Sequence, residues 1–272
     1  MVAGFAAEAS RGPPAVVFWH DSDRLVRIVS SPNGTPHSQN GAFHPFPFVN
    51  RVVQPEKLDQ RPNDHSDAIH NRQDLMLINR IMGNWRWLEQ QLVARAREGD
   101  SILELGAGDG AFGCWLLRRM RDTGMNVRLH GLDLARRPEF WPEQWPWTQA
   151  DLLTYGGYDD CDVLIANLTL HHFHAAELAQ LGRRLSNRVR LLLASEPARG
   201  RFHVLQARGL GFIGVNHVTR HDAPVSVVAG FRGDELHSWL GLEKSKWTVS
   251  VETTFGGAYR LVAERRAGAR EA

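Results

Sequence analysis

The sequence predicts an α/β fold, a mostly parallel sheet covered by helices on both faces, and three observations carry that expectation. From about residue 100 onward, short β-rich runs alternate with helical ones, the pattern of strands joined by crossover helices. The segment Ser101-Ile-Leu-Glu-Leu-Gly-Ala-Gly-Asp-Gly-Ala-Phe-Gly113 runs from a buried strand through a glycine turn into a helix. The last two β-rich runs are separated only by Phe255-Gly256-Gly257, so they form an antiparallel hairpin.

Taken in order, residues 1–50 carry Pro32, Pro36, Pro45 and Pro47 among Gly, Ser, Asn and His. They show no sustained period of 2 or 3.6 and are expected to form a poorly ordered extension, with Ala15–Trp19 its one strand-like piece. Residues 51–100 are expected to be an N-terminal helical segment. Within it Leu75, Ile78, Met82, Trp85, Leu88 and Leu92 recur at three- and four-residue steps, placing one apolar stripe on a helix of about seven turns that Gly99 ends. The main domain is expected over 101–266, with strands at 101–105, 126–132, 147–150, 161–166, 190–195, 247–254 and 258–264. Its helices are expected at 110–122, 173–185, 198–209 and 234–241, while Pro142 and Pro146 leave room for little more than a turn between Pro138 and Trp147. Residues 198–233 read as a substrate-recognition insertion and 267–272 as a tail.

Composition narrows the function classes. At 272 residues and 43% hydrophobic content the chain can bury one sizeable core with additions. Its 32 basic and 30 acidic residues are mixed along the chain, so nothing marks a nucleic-acid-binding face and a small or neutral partner fits better. Cys114 and Cys161 fall in segments that read as core, which implies a reducing compartment without disulfides. No apolar run approaches the roughly 18 residues that span a bilayer. Glu8, Arg11, Pro13 and Pro14 interrupt any signal-peptide stretch, so a soluble, cytoplasmic protein is expected. The oligomeric state is not legible in the sequence.

The glycines Gly106, Gly108 and Gly110 let the backbone bend sharply and approach a ligand closely, and the following helix presents its free N–H groups there. The same glycines satisfy a dinucleotide fingerprint, with Asp133 at a plausible distance, so an NAD-dependent oxidoreductase is the rival reading. Glu104 separates the two. A carboxylate two residues before the first glycine repels a pyrophosphate and favours a ligand with a sulfonium and an amino group, S-adenosylmethionine. Asp133 ends the second strand, where a carboxylate can accept from both ribose hydroxyls, and Asp151 ends the third, where it could accept from an adenine amine or serve only as a turn residue.

Ile102-Leu-Glu-Leu-Gly-Ala-Gly-Asp-Gly110, Gly131-Leu-Asp133, Ala150-Asp-Leu152 and Asp162-Val-Leu-Ile-Ala-Asn-Leu-Thr-Leu-His-His-Phe173 together resemble the successive motifs of class I S-adenosylmethionine-dependent methyltransferases, in particular the small-molecule branch similar to quinone-biosynthesis enzymes. The resemblance covers roughly residues 71–266. It implies a Rossmann-like sheet of seven strands, the last antiparallel, carrying an N-terminal helical addition and a substrate-cap insertion. It also implies that Glu104, Gly106, Ala107 and Gly108 line the methionine end, and that Asp133 and Leu134 hold the ribose. Asp151 and Leu152 would meet adenine and Asn167 would close the pocket floor. The proline-broken stretch after Asp133 departs from the family's usual longer helix.

The methyl acceptor needs alignment and, at most, a base. Candidates are His171 and His172 after the fourth strand, Glu196 after the fifth, and His221 in the insertion. If the segment is extended, His171 and His172 cannot both point into one pocket. Phe202, Leu205, Leu210, Phe212 and Ile213 offer an apolar wall, which suits a small, largely apolar acceptor bearing a hydroxyl. No metal is expected, because neither His217 with His221 nor His171 with His174 has a ligating partner at the usual spacing. A nucleic-acid base methyltransferase is disfavoured because Asn167-Leu-Thr-Leu stands where such enzymes carry an Asn or Asp followed by two prolines and an aromatic.

Overall fold

A computed structural model describes residues 49–57, 66–185 and 187–267, without the side chains of 66–73, 212 and 213. The expected extension, but for its last two residues, and the expected tail, but for its first, lie outside the described residues.

All seven predicted strands form, with ends shifted by a residue or two: β1 Ser101–Leu105, β2 Arg128–Asp133, β3 Trp147–Gln149, β4 Val163–Asn167, β5 Leu191–Pro197, β6 Trp247–Thr253 and β7 Ala258–Arg265. They make one sheet in the order β3-β2-β1-β4-β5-β7-β6. β1 to β5 pair in parallel, while β7 is antiparallel to both β5 and β6, as the hairpin predicts. The chain moves outward from β1 in one direction to β2 and β3 and then crosses back to β4. The carboxyl ends of β1 and β4 therefore flank the point where strand order reverses, the place such sheets bind ligands.

Side-chain alternation splits the strands between two cores. Ile102, Val163, Ile165, Leu191 and Leu193 pack with Leu88 and Leu92 of α2 (Asn84–Arg95) and Leu116 and Met120 of α3 (Ala111–Asp122). Leu103, Leu105, Leu164, Leu192 and Ala194 pack on the other face with Leu178 and Leu181 of α4 (Ala175–Arg184). Burial on both faces is why these runs are continuously apolar rather than alternating. Glu104 lies on the same side of β1 as Ile102, and this parity turns its carboxylate towards α3.

The expected long helix is two. α1 (Ser66–Met82) stops at Gly83, whose φ of 68° lies in the left-handed region that glycine adopts without strain, and α2 starts at Asn84. Leu88 and Leu92, both fully buried, hold α2 on the sheet and contribute about 2 kcal/mol each. Asn84 is also fully buried, donating to Asn79 Oδ1 at 3.0 Å and accepting from Ser195 Oγ at 2.9 Å, so the joint is tied to β5. The redirected α1 is tied instead to the insertion: Asp74 Oδ2 accepts from Asn216 N at 2.9 Å and from Thr219 Oγ1 at 2.6 Å.

The insertion folds into α5 (Arg201–Gly209), a 3-10 turn and α6 (His217–Ala229), followed by α7 (Glu235–Trp239). α6 is absent from the sequence expectation; it holds Pro224 in its interior, and Asn216 caps it by accepting from Val218 N. Residues 51–57 are irregular, with a turn at Lys57, rather than helical. Arg51 anchors them, donating to Ala229 O, His171 O and Phe173 O while its guanidinium lies 4.8 Å from the Phe231 ring centre and 5.0 Å from that of Trp239. Among the described residues no helix is long and apolar enough to cross a membrane.

Candidate active site

A cavity of about 1380 Å³ opens over the carboxyl ends of β1, β2 and β4. A single small ligand typically occupies roughly 300–1,000 Å³, so this one has room for two ligands side by side. One end is the glycine turn: Glu104, Gly106, Ala107, Gly108, Asp109, Asp133, Leu134, Leu152 and Asn167 all line it, which brings together every predicted cofactor residue except Asp151. Asp151 is exposed, and its Oδ1 accepts from Leu153 N at 2.7 Å, closing its own turn. Asp151 thus stands off the cavity wall and closes a turn, while its neighbour Leu152 stands on the wall.

The glycine turn is already crowded with carboxylates. Asp133 accepts from Gly108 N through Oδ2 and from Ala135 N through Oδ1, both at 2.7 Å, and Asp109 Oδ1 accepts from Ala111 N at 3.0 Å. Gly106 N and Ala107 N donate to Leu132 O, and Gly110 N donates to Ala107 O. The backbone donors that a diphosphate needs at such a turn are thus taken, two of them by acidic side chains. Glu104 is buried, and its Oε2 has no hydrogen-bond partner among the described residues. Burial, aided by Asp133 and Asp109, pushes its carboxyl well above the usual carboxylate range. The sequence reading treats Glu104 as a standing negative charge; in this pocket burial disfavours the charged form, and a cation placed beside it would favour it again. Asn167 Oδ1 is a second buried acceptor without a partner among the described residues. These two acceptors and the remaining lone pairs of Asp133 fit the amino group and ribose of an S-adenosyl ligand.

Gly106 explains the closeness of β1 and β4. Its φ is 64°, and a Cβ there would lie 2.4 Å from Thr169 Cγ2. Thr169 follows Leu168, which holds a positive φ of 56°, an unusual conformation for a leucine. Trp141 and Trp147 pack edge to face at 5.1 Å beneath the turn, over Gly110, Gly113 and Gly131, so these tryptophans form the floor of the turn.

At the other end of the cavity the segment after β4 is a 3-10 turn, Leu170–His172, rather than extended. Both His171 and His172 therefore line the cavity, their ring centres 4.2 Å apart. Glu196 is fully buried behind them and is not on the wall. It accepts from Thr169 N at 3.0 Å, Leu170 N at 2.8 Å and His171 Nδ1 at 2.8 Å, so a single carboxylate shapes the turn and orients one ring. Burial would lower the His171 pKa, but the hydrogen bond to Glu196 and the nearness of Glu56 override it and push it up to about 9. The acidic neighbours thus favour the protonated ring over the free base, and a cation at Nε2 would have to displace that proton. His221 is half-exposed, bonded to Asp222 and off the cavity wall. At 100° per residue it lies roughly 120–160° around α6 from Ala223 and Val227, which do line the cavity.

Several cavity residues were not anticipated. Glu56 comes from the irregular segment 51–57, with its Oε1 3.5 Å from His171 Nε2. Leu75, Ile78, Met82 and Trp85 of the periodic stripe line the cavity, while Leu88 and Leu92 of the same stripe sit in the core. Of the expected apolar wall, Leu210 is on the cavity, whereas Phe202 and Leu205 are exposed and off it. The side chains of Phe212 and Ile213 lie outside those described. No spacing signal could have found Glu56, because 115 residues separate it from His171.

Sheet order, the hairpin and the glycine turn together define the class I methyltransferase fold. Among solved structures the chain is similar to the plantazolicin methyltransferase BpumL in complex with SAH, at TM-score 0.58 and 12% identity over 77% of this chain and 93% of that one. BpumL with SAH and a triazolic desmethylPZN analog matches at TM-score 0.58 and 11% identity over the same shares. The related BamL with the same pair of ligands matches at TM-score 0.55 and 11% identity, over 76% of this chain and 92% of that one. No protein-family profile matches the sequence, and no curated protein is significantly similar to it.

Proposed function

We propose that this chain is an S-adenosylmethionine-dependent methyltransferase that methylates a hydroxyl oxygen on a small, largely apolar acceptor, aromatic or polyketide-like. The observation that carries the reading is the glycine turn whose N–H groups are taken by Asp133, Asp109 and neighbouring carbonyls, beside the partnerless acceptors of Glu104 and Asn167. A diphosphate would bring more negative charge to the carboxylates of Asp133 and Asp109 and find few donors; an ammonium would find two acceptors and favour the charged form of Glu104. This weighs against the NAD-dependent alternative. The likeness to BpumL, whose structures hold SAH, supports the same reading at the level of fold.

In this reading Glu104 and Asn167 receive the amino end, Asp133 the ribose hydroxyls, and Ala107, Gly108, Leu134 and Leu152 flank the ligand. When bound, S-adenosylmethionine supplies a methyl group on a sulfonium, an electrophile that needs only an aligned nucleophile. The chain supplies that alignment. Leu75, Ile78, Met82 and Leu210 exclude water around an apolar acceptor, and its hydroxyl lies against the polar end formed by Glu56, His171 and His172, where the Glu56 carboxylate takes the hydroxyl proton as the oxygen–methyl bond forms and the methyl–sulfur bond breaks. Glu196 acts through His171 as a positioning residue. His221 takes no part.

Calorimetric titration of the protein with SAH and, separately, with NADH tests the cofactor. SAH binding with no NADH binding is expected, and the reverse overturns the proposal. Transfer of a labelled methyl from S-adenosylmethionine to a panel of phenols and hydroxylated aromatics then tests the acceptor class; transfer to amines alone removes the O-methylation reading.

A further inference from the structure

Glu56, His171 and His172 meet at one end of the cavity from two distant stretches of chain, and one donor atom from each lies within 4.8 Å of the other two. We infer that these three side chains form an open site for a divalent transition-metal ion of the zinc type, with one carboxylate and two imidazoles as ligands and the remaining positions facing the cavity.

Three observations carry this. The first is a distance. Glu56 Oε1 and His171 Nε2 are 3.5 Å apart, long for a charge-assisted hydrogen bond, which closes to about 2.7–2.9 Å. Two ligands held at about 2.1 Å on a tetrahedral ion are separated by roughly 3.4 Å, so this pair already has the spacing of a coordination edge. Binding an ion draws the widest pair together by up to roughly 1.4 Å, which side-chain rotation can supply. The second is the support behind the ring. His171 bonds Glu196 through Nδ1 at 2.8 Å, leaving Nε2 directed at Glu56; a carboxylate behind a histidine is the arrangement that fixes a metal-binding imidazole. Glu56 is supported likewise by the hydroxyl of Ser226, and its segment is held to the histidine turn by Arg51, which donates to His171 O and Phe173 O. The third is the donor set. Two imidazoles and one carboxylate with open positions is the composition of catalytic zinc and related sites, whereas calcium and magnesium prefer oxygen throughout.

An ion here would take an oxygen of the acceptor in an open position and favour its deprotonated form, as bound metals do for water. That role rests on the methyltransferase reading; the binding of the ion does not.

The test uses the full chain, dialysed against a chelator and titrated with Co²⁺ and with Zn²⁺ in the absence of any cofactor or acceptor. One equivalent per chain is expected, with visible Co²⁺ absorption bands of a site with few ligands. Glu56→Gln and His172→Gln keep side-chain volume near that of the wild type, and each should weaken binding by roughly 100-fold or more; Glu196→Gln, which removes only the support, should weaken it about 10–100-fold. Circular dichroism and thermal unfolding establish that each variant is folded. Absence of binding below millimolar Co²⁺ in the wild type, or equal affinity in folded Glu56→Gln and His172→Gln, overturns the site and leaves an ion pair in its place. SAH titration of the wild type is read separately: metal without SAH binding removes the methyltransferase reading and keeps the ion site, while SAH without metal does the opposite.

Discussion

Replacing Gly106 by alanine tests the crevice between β1 and β4 most directly. At φ 64° an alanine backbone costs about 1–2 kcal/mol. The new Cβ would lie 2.4 Å from Thr169 Cγ2, 2.5 Å from its Oγ1 and 3.0 Å from its Cβ, so rotating the threonine alone cannot clear it. Displacing Thr169 breaks the buried bond from its Oγ1 to Leu105 O at 3.0 Å, worth about 0.5–1.5 kcal/mol, and disturbs the amide that donates to Glu196. Together these predict a loss of about 1.5–3.5 kcal/mol, or a fall in Tm of roughly 3–14 °C for a domain of this size. Urea unfolding followed by tryptophan fluorescence, alongside a thermal scan, reads both quantities. The double variant Gly106→Ala/Thr169→Ala removes the collision and keeps the backbone cost, so it should lose about 0.5–1.5 kcal/mol less than the sum of the single variants. A Gly106→Ala protein within about 0.5 kcal/mol of wild type, or strictly additive variants, would refute this account of the crevice.

Glu104→Gln should change the pH dependence of stability. Because the folded carboxyl is raised above its ordinary 4.5, the native chain keeps a proton that the unfolded chain has lost, and wild-type stability falls as pH rises from 4.5 towards the folded value. The glutamine variant should lack that slope and exceed wild type in stability at pH 8, and its SAH affinity should no longer rise with pH; parallel urea curves at pH 5 and pH 8 for both proteins would contradict this. Asp133→Asn keeps only one of the two 2.7 Å acceptors for Gly108 N and Ala135 N, so SAH should bind about 10-fold or more weakly; unchanged affinity by calorimetry speaks against the ribose assignment. Asn84→Ala strands buried Ser195 Oγ and Asn79 Oδ1 and should cost about 2–4 kcal/mol, with a loss under about 0.5 kcal/mol showing that the α1–α2 joint is not held there.

Most of the sheet was legible because its signals are local. Leu103 to Ala107 alone declare a strand entering a glycine turn, and Phe255-Gly256-Gly257 declares the hairpin that makes β7 antiparallel. The helix break was not legible, because Gly83 sits inside an unbroken apolar period and only its left-handed φ reveals that the stripe serves two purposes. α6 was not expected, and it tolerates Pro224 in its interior because the bonds to Asp74 and the buried Val218 and Ala229 outweigh the local cost. At the site, the glycine turn with Glu104, Asp133 and Asn167 follows from order along the chain. The pairing of His171 with Glu196 and Glu56 does not.

The sequence by itself determined which strands form, their parallel sense and the acidic character of the glycine turn, since each depends on neighbours a few residues apart. Only the tertiary structure decided that burial disfavours a charge on Glu104, that both histidines face one cavity, and that Glu56 joins them. Those outcomes depend on desolvation and on contacts between segments more than a hundred residues apart, which leave no periodic trace along the chain.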